Sequence, residues 1–161
     1  MSLHGSADDQ DEMSAATRTS AEDGRAPGQA GQSAARAIPV VLVVDDDAGL
    51  RAAVRRALER RDYAVVEATG GREALAALAD GVNVDYVLTD LRMADGSGGW
   101  LLAQIGYEHP HLLDRTVVMS GDNAGTAAAH LATRWRCPVL SKPFTGPQLA
   151  GMLDGLANRP S

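Results

Sequence analysis

Five short apolar runs constrain this chain more than any other feature. They are "IPVVLVVDDD" (38–47), "YAVVEAT" (63–69), "VDYVLTD" (84–90), "RTVVMSGD" (115–122) and "CPVLSKPF" (137–144). Each is continuous rather than alternating, the mark of a strand covered on both faces. Helical patterns separate them. Leu50, Val54 and Leu58 recur at i, i+4 and i+8, with Arg51, Arg55 and Arg56 turned to the other side, and Asp47 is placed to cap that helix. "GREALAALA" (71–79) and "GGWLLAQI" (98–105) start the second and third helices, and "NAGTAAAHLATRW" (123–135), weakened by Gly125, gives the fourth. Leu149, Met152, Leu153 and Leu156 make the stripe of a fifth, with Thr145 as its cap. A strand–helix unit repeated five times predicts an α/β fold. Right-handed crossovers then lay helices on both faces of a parallel, doubly wound five-stranded sheet.

Residues 1–37 differ. Six acids (Asp8, Asp9, Asp11, Glu12, Glu22, Asp23) stand against three arginines, and apart from Met1, Leu3 and Met13 are the only large apolar residues before Ile38. Too little apolar surface is available to offset the entropy of ordering, so a disordered acidic tail is expected there, with the folded domain over 38–158. After the fifth helix little chain remains, so no output domain is expected in this sequence.

The bulk numbers exclude several functions. A net charge of −6 and a pI near 5.1 argue against a broad surface for nucleic acid or anionic membrane. No run approaches the ~18 apolar residues of a bilayer span, and no basic-then-apolar N-terminus marks a secretory signal. A single cysteine, Cys137, suits a reducing cytoplasm and reads as a small, partly buried hydrophobe beside Pro138. His4, His109, His111 and His130 lack metal-ligand spacing, Trp100 and Trp135 read as packing or partner-facing residues, and "TGGRE" reads as a helix start.

In a doubly wound sheet the ligand site lies beyond the carboxyl ends of the strands. Here those ends carry Asp45-Asp46, Asp90, Ser120 and Ser141-Lys142-Pro143. Three carboxylates at close range repel, and one tends to keep its proton near neutral pH. A hard divalent cation relieves this, and Mg²⁺ favours a few carboxylates, waters and a phosphate oxygen. Lys142 adds a second positive centre, and Ser120 and nearby backbone N–H groups can donate hydrogen bonds. The set suits three phosphate oxygens attached to one carboxylate, which makes Asp90 the expected nucleophile for a phosphoryl group.

The same residues resemble the receiver domain of response regulators in two-component phosphorelays. The matching elements are Asp45-Asp46 after "VLVV", "TDLRM" with Asp90 and Met93, Gly98, Ser120 followed by Gly121, and "SKPF" with Lys142. The spacings fit as well: 44 residues from Asp46 to Asp90, 30 on to Ser120, and 52 from Asp90 to Lys142. The resemblance covers residues 38–157, about three-quarters of the chain. It implies a flavodoxin-like strand order of 2-1-3-4-5. Asp90 would be the phosphoacceptor. The Asp46 and Asp90 side chains and the Arg92 backbone carbonyl would hold Mg²⁺, and Asp45 would act mainly through bound water. Ser120 would turn inward and Lys142 would pair with the phosphoryl group; the Lys142–Pro143 peptide would be cis. Arg92 and Asp122 occupy the positions that modulate hydrolysis of the acyl phosphate.

The implied donor is a sensor histidine kinase or a histidine phosphotransfer protein. A cytoplasmic location and a phosphorylation-dependent homodimer are further expectations, and the chain is expected to be a phosphoryl acceptor with slow self-dephosphorylation rather than an enzyme. Three departures stand out. Ala94 replaces the usual proline of "DxxMP", which predicts a looser loop beside Asp90. Val139 replaces the usual aromatic residue, so a rotamer flip there is unavailable. "RWRCPVL" replaces a Gly-rich approach, a style similar to receivers of hybrid histidine kinases. Two alternatives remain at this point. A haloacid-dehalogenase-like phosphatase would use Asp45 as nucleophile, but it needs an acidic pair after the lysine and only Asp154 follows. A phosphorylation-independent pseudo-receiver rests on Ala94 and Val139 alone.

Overall fold

Each apolar run forms a strand shorter than the run itself. A computed structural model of the chain describes residues 37–121 and 125–159, with the backbone alone of Thr126. The expected acidic tail, apart from Ala37, therefore lies outside the described residues, as does Asp122. The strands are β1 (Val40–Val44), β2 (Ala64–Ala68), β3 (Tyr86–Asp90), β4 (Thr116–Ser120) and β5 (Val139–Ser141). All pairings are parallel and the order is β2-β1-β3-β4-β5, the arrangement that the resemblance implied. β5 is held to three residues between Pro138 and Pro143, because proline cannot donate to a ladder.

The helices are α1 (Ala48–Glu59), α2 (Gly71–Ala79), α3 (Gly98–Glu108), α4 (Thr126–Trp135) and α5 (Gly146–Ala157). Asp47 caps α1 by accepting from the Leu50 N–H, and Thr145 with Gln148 closes a capping box on α5. Ser97 caps α3, a role the sequence reading did not assign. α4 begins after Gly125, whose backbone is not helical, and residues 123–124 of the expected helix lie outside the described residues. A 3₁₀ segment, Pro110–Arg115, joins α3 to β4 and was not anticipated; two such turns are too short to carry a helical period.

Strand alternation builds two main cores. Val41 and Val43 face α1 and α5, packing with Val54, Leu58, Leu149 and Leu153. Leu42 and Val44 face the opposite side, with Ala74, Leu78, Leu101 and Ile105 of α2 and α3. Full burial of each such leucine contributes about 2 kcal/mol. β1, β3 and β4 are covered on both faces, as read from the sequence. The edge strand β2 is not: Ala64 is exposed and Val65–Glu67 are half-buried. No helix among the described residues is long and apolar enough to cross a membrane.

A third cluster, under α4, holds Leu91, Leu102, Val118, Ala128 and Cys137. Cys137 is 2% exposed. Burial pushes its thiol up to about 11, and the Asp114 carboxylate adds to the shift. The thiolate is the reactive form. The folded protein is therefore expected to alkylate at Cys137 at least about 100-fold more slowly than the unfolded chain in mildly basic buffer, and equal iodoacetamide rates would contradict it. A folded thiol with a raised pKa keeps a proton that the unfolded chain has lost. Its contribution to stability is thus present below about 9 and lost as pH rises toward about 11.

Candidate functional site

The parallel sheet brings the carboxyl ends of β1, β3, β4 and β5 to one rim. Asp45 and Asp46 follow β1, Asp90 ends β3, Ser120 ends β4 and Lys142 follows β5. Asp45 (1% exposed), Asp90 (7%) and Ser120 (2%) are buried, whereas Asp46 is exposed. Carboxylate oxygens of Asp45, Asp46 and Asp90 lie within 4.8 Å of one another. Lys142 Nζ donates to Asp45 Oδ2 at 2.7 Å and to Asp90 Oδ1 at 3.0 Å. The Lys142 N–H donates to the Ser120 carbonyl at 2.7 Å, which ties the loop after β5 to β4, and the Lys142–Pro143 peptide is cis.

Electrostatics follow from this packing. Burial raises the Asp90 carboxyl above its ordinary range; the Lys142 ammonium opposes that shift and the Asp45 carboxylate adds to it. Burial alone would lower Lys142, but its bonds to Asp45 and Asp90 outweigh it and the ammonium is held above its ordinary value. The lysine therefore stays charged. One cation among three carboxylates still leaves excess negative charge, and hard oxygen donors at this spacing fit a divalent ion such as Mg²⁺.

The three acids are not equivalent. Asp45 Oδ1 accepts the Asp47 N–H at 2.8 Å while Lys142 occupies Oδ2, so both of its oxygens are engaged. Asp90 instead opens on a cleft of about 350 Å³, lined also by Leu91, Arg92, Ser120, Gly121 and Lys142. The peptide after Asp90 is fixed from two sides. The Leu91 N–H donates to the Met119 carbonyl at 3.0 Å, and the Gly98 N–H donates to the Leu91 carbonyl at 3.0 Å. Gly98 is needed for a close approach: a Cβ there would collide with the Asp90 carbonyl oxygen. The structure thus brings together Asp45, Asp46, Asp90, Ser120 and Lys142, with Arg92 on the cleft wall. Val139 is half-buried against the cluster under α4.

Two contributors to the rim were not read from the sequence. Arg51 was placed on the solvent face of α1, yet its side chain is 13% exposed. It donates to the Asp45 carbonyl at 2.6 Å and sits 3.5 Å from Glu67. Its long stem covers apolar surface while its head reaches the strand end. The second is Ala94, read only for the proline it replaces. Its N–H donates to Asp46 Oδ2 at 3.3 Å.

Comparison with known proteins agrees with this geometry. The model of the response regulator receiver domain family matches residues 41–154. Sensor kinase CckA of Brucella abortus is 35% identical over 111 residues, which are 68% of this chain and 12% of that protein. The DNA-binding transcriptional regulator NtrC of Salmonella typhimurium is 35% identical over 115 residues, 71% of this chain and 24% of that protein. The chain thus spans a quarter or less of the length of these relatives. A response regulator receiver protein from Pseudomonas putida superposes with a TM-score of 0.67 at 32% identity, covering 74% of this chain and 98% of that one. TrrA of Thermotoga maritima, solved in complex with Mg²⁺ and BeF, shares the fold at a TM-score of 0.65 and 23% identity, over 73% of this chain and 98% of that one. With the family model spanning residues 41–154, most of the folded part, this chain belongs to the response regulator receiver domain family.

Proposed function

We propose that this chain is a phosphoryl-accepting switch whose acceptor is Asp90. The observation that carries the reading is the contrast between the buried acids. Asp90 opens on the cleft, whereas Asp45 is sealed by Lys142 and the Asp47 N–H. The same contrast weighs against a phosphatase with Asp45 as nucleophile, and Asp154, the one acid after Lys142, lies exposed on α5. The intact acid set and lysine weigh against a silent pseudo-receiver.

In the proposed step an ionised Asp90 oxygen attacks the phosphorus of a phosphohistidine. The new P–O bond forms as the P–N bond breaks, and the electron pair leaves with the imidazole, which takes up a proton. The product is an acyl phosphate on Asp90. Bound Mg²⁺ would supply charge neutralisation for the incoming phosphoryl oxygens. Asp46 and Asp90 would hold it directly and Asp45 mainly through bound water, with the Arg92 carbonyl as a further ligand. Lys142, 3.0 Å from Asp90, would meet the added charge, and Ser120, at the end of β4, would turn inward and donate to it. A histidine kinase or phosphotransfer protein is the donor this chemistry requires, and a partner-binding face altered by the charge change is the output. Residues 38–158 form the receiver in this reading, with 1–37 as an acidic tail, and the cytoplasm, where such donors act, is its place.

Incubation with a small-molecule phosphodonor and Mg²⁺ tests the reading. Intact-mass measurement is expected to show one added phosphoryl group, lost on mild hydrolysis and absent when the metal is chelated. An unchanged wild-type mass would overturn it.

A further inference from the structure

Of the three rim carboxylates, Asp46 is the exposed one, and exposure leaves a short side chain free to change rotamer. Asp45 and Asp90 are held by Lys142. Asp46 is tied instead to the loop after β3, where its Oδ2 accepts the Ala94 N–H at 3.3 Å. A proline at position 94 would have no N–H to give. We infer that the Ala94 main-chain N–H is a positioning donor for Asp46, holding this carboxylate where it can share a divalent cation with Asp45 and Asp90. The inference rests on reading the rim as a Mg²⁺-dependent acceptor site.

The loop does not need a proline for its shape, because the turn before α2 braces it. The Asp95 carbonyl accepts the Gly71 N–H at 2.9 Å, and Asp95 Oδ1 lies 3.1 Å from Arg72 Nε. The Arg72 guanidinium in turn sits 5.6 Å from the centre of the Trp100 ring. Gly70 permits this approach, since a Cβ there would stand 2.8 Å from the Asp95 carbonyl oxygen. Gly96 completes the turn at φ +78°. Position 94 is therefore left with a donor that two fixed loops aim at Asp46. An ionised carboxylate has about four acceptor positions, so taking one N–H does not prevent it from binding a metal.

Titration of the full chain with Mg²⁺ alone, followed by calorimetry, separates the outcomes. Ala94→Ser keeps the N–H and should bind like wild type. Ala94→Pro should bind about threefold to tenfold more weakly, the range expected for one ordinary solvent-exposed hydrogen bond. In an Asp46→Ala background, which removes the acceptor, the proline should then add little. Equal or tighter binding by Ala94→Pro would overturn the inference while leaving the acceptor reading intact; absence of Mg²⁺ binding by wild type would overturn both. The Ala94 amide resonance provides a check that does not depend on the folding of the proline variant. Asp46→Ala should shift it upfield and speed its hydrogen exchange, and an unmoved resonance would contradict the bond.

Discussion

Lys142→Met is expected to destabilise the fold by about 3–5 kcal/mol near neutral pH, the cost of removing one partner from a buried charge cluster. Lys142 bonds two side chains, Asp45 at 1% exposure and Asp90 at 10%. Methionine fills similar volume but leaves two carboxylates facing each other without a cation. The pH dependence follows from the direction of the Asp90 shift. Burial already raises that carboxyl, and Lys142 is the main group opposing the rise, ahead of the Leu91 main-chain N–H. Without the lysine its folded pKa climbs further above the unfolded value. A group shifted this way stabilises the fold below the unfolded pKa and loses that contribution as pH rises through the folded pKa. The deficit of the variant should therefore shrink in mild acid. Urea denaturation at the two pH values measures it, and a deficit that grows in acid would contradict the assignment.

Gly98→Ala is expected to cost about 3 kcal/mol or more. A Cβ at this position meets only main chain: the Asp90 carbonyl oxygen, with Leu91 Cα at 3.0 Å. No flexible side chain can swing away, so either α3 or the end of β3 must shift. Because the displaced atoms belong to the residue after which the cleft opens, phosphoryl uptake should slow along with the loss of stability. Gly151→Ala on α5 is the matched control. Nothing lies within 4 Å of its added Cβ, and alanine is the better helix former by about 1 kcal/mol. Thermal melts of the two variants should move in opposite directions, and a neutral Gly98→Ala would refute the close approach.

The same glycine marks how far the sequence could be read. Its position in a spaced motif was visible, but the reason for it was not, because a Cβ collision with a carbonyl across a turn exists only in three dimensions. The strand ends were legible since five continuous apolar runs each stop at a polar residue, and a parallel sheet must gather those ends on one rim. The exposure of β2 was less legible from its own run, because which strand lies outermost is a property of strand order, and that order came from the resemblance alone. Arg51 was misplaced because hydropathy assigns a helix face by side-chain type, whereas an arginine stem can pack while its head bonds the Asp45 carbonyl. Ala94 was read as the loss of a rigid turn. In the structure its N–H reaches Asp46 while Asp95 and the Gly70–Gly71 turn hold the loop. Main-chain donors carry no side-chain signature, so a substitution for proline is the only trace such a bond leaves in a sequence.

Mapping the phosphorylated residue tests the central claim most directly. Wild-type protein treated with a phosphodonor and Mg²⁺ is reduced with borohydride, which converts the acyl phosphate to a stable alcohol, and its peptides are sequenced by mass spectrometry. The account predicts modification at Asp90 alone, in the peptide containing "VLTDLRM". Modification at Asp45, or a trapped wild-type protein with no modified aspartate, would contradict it.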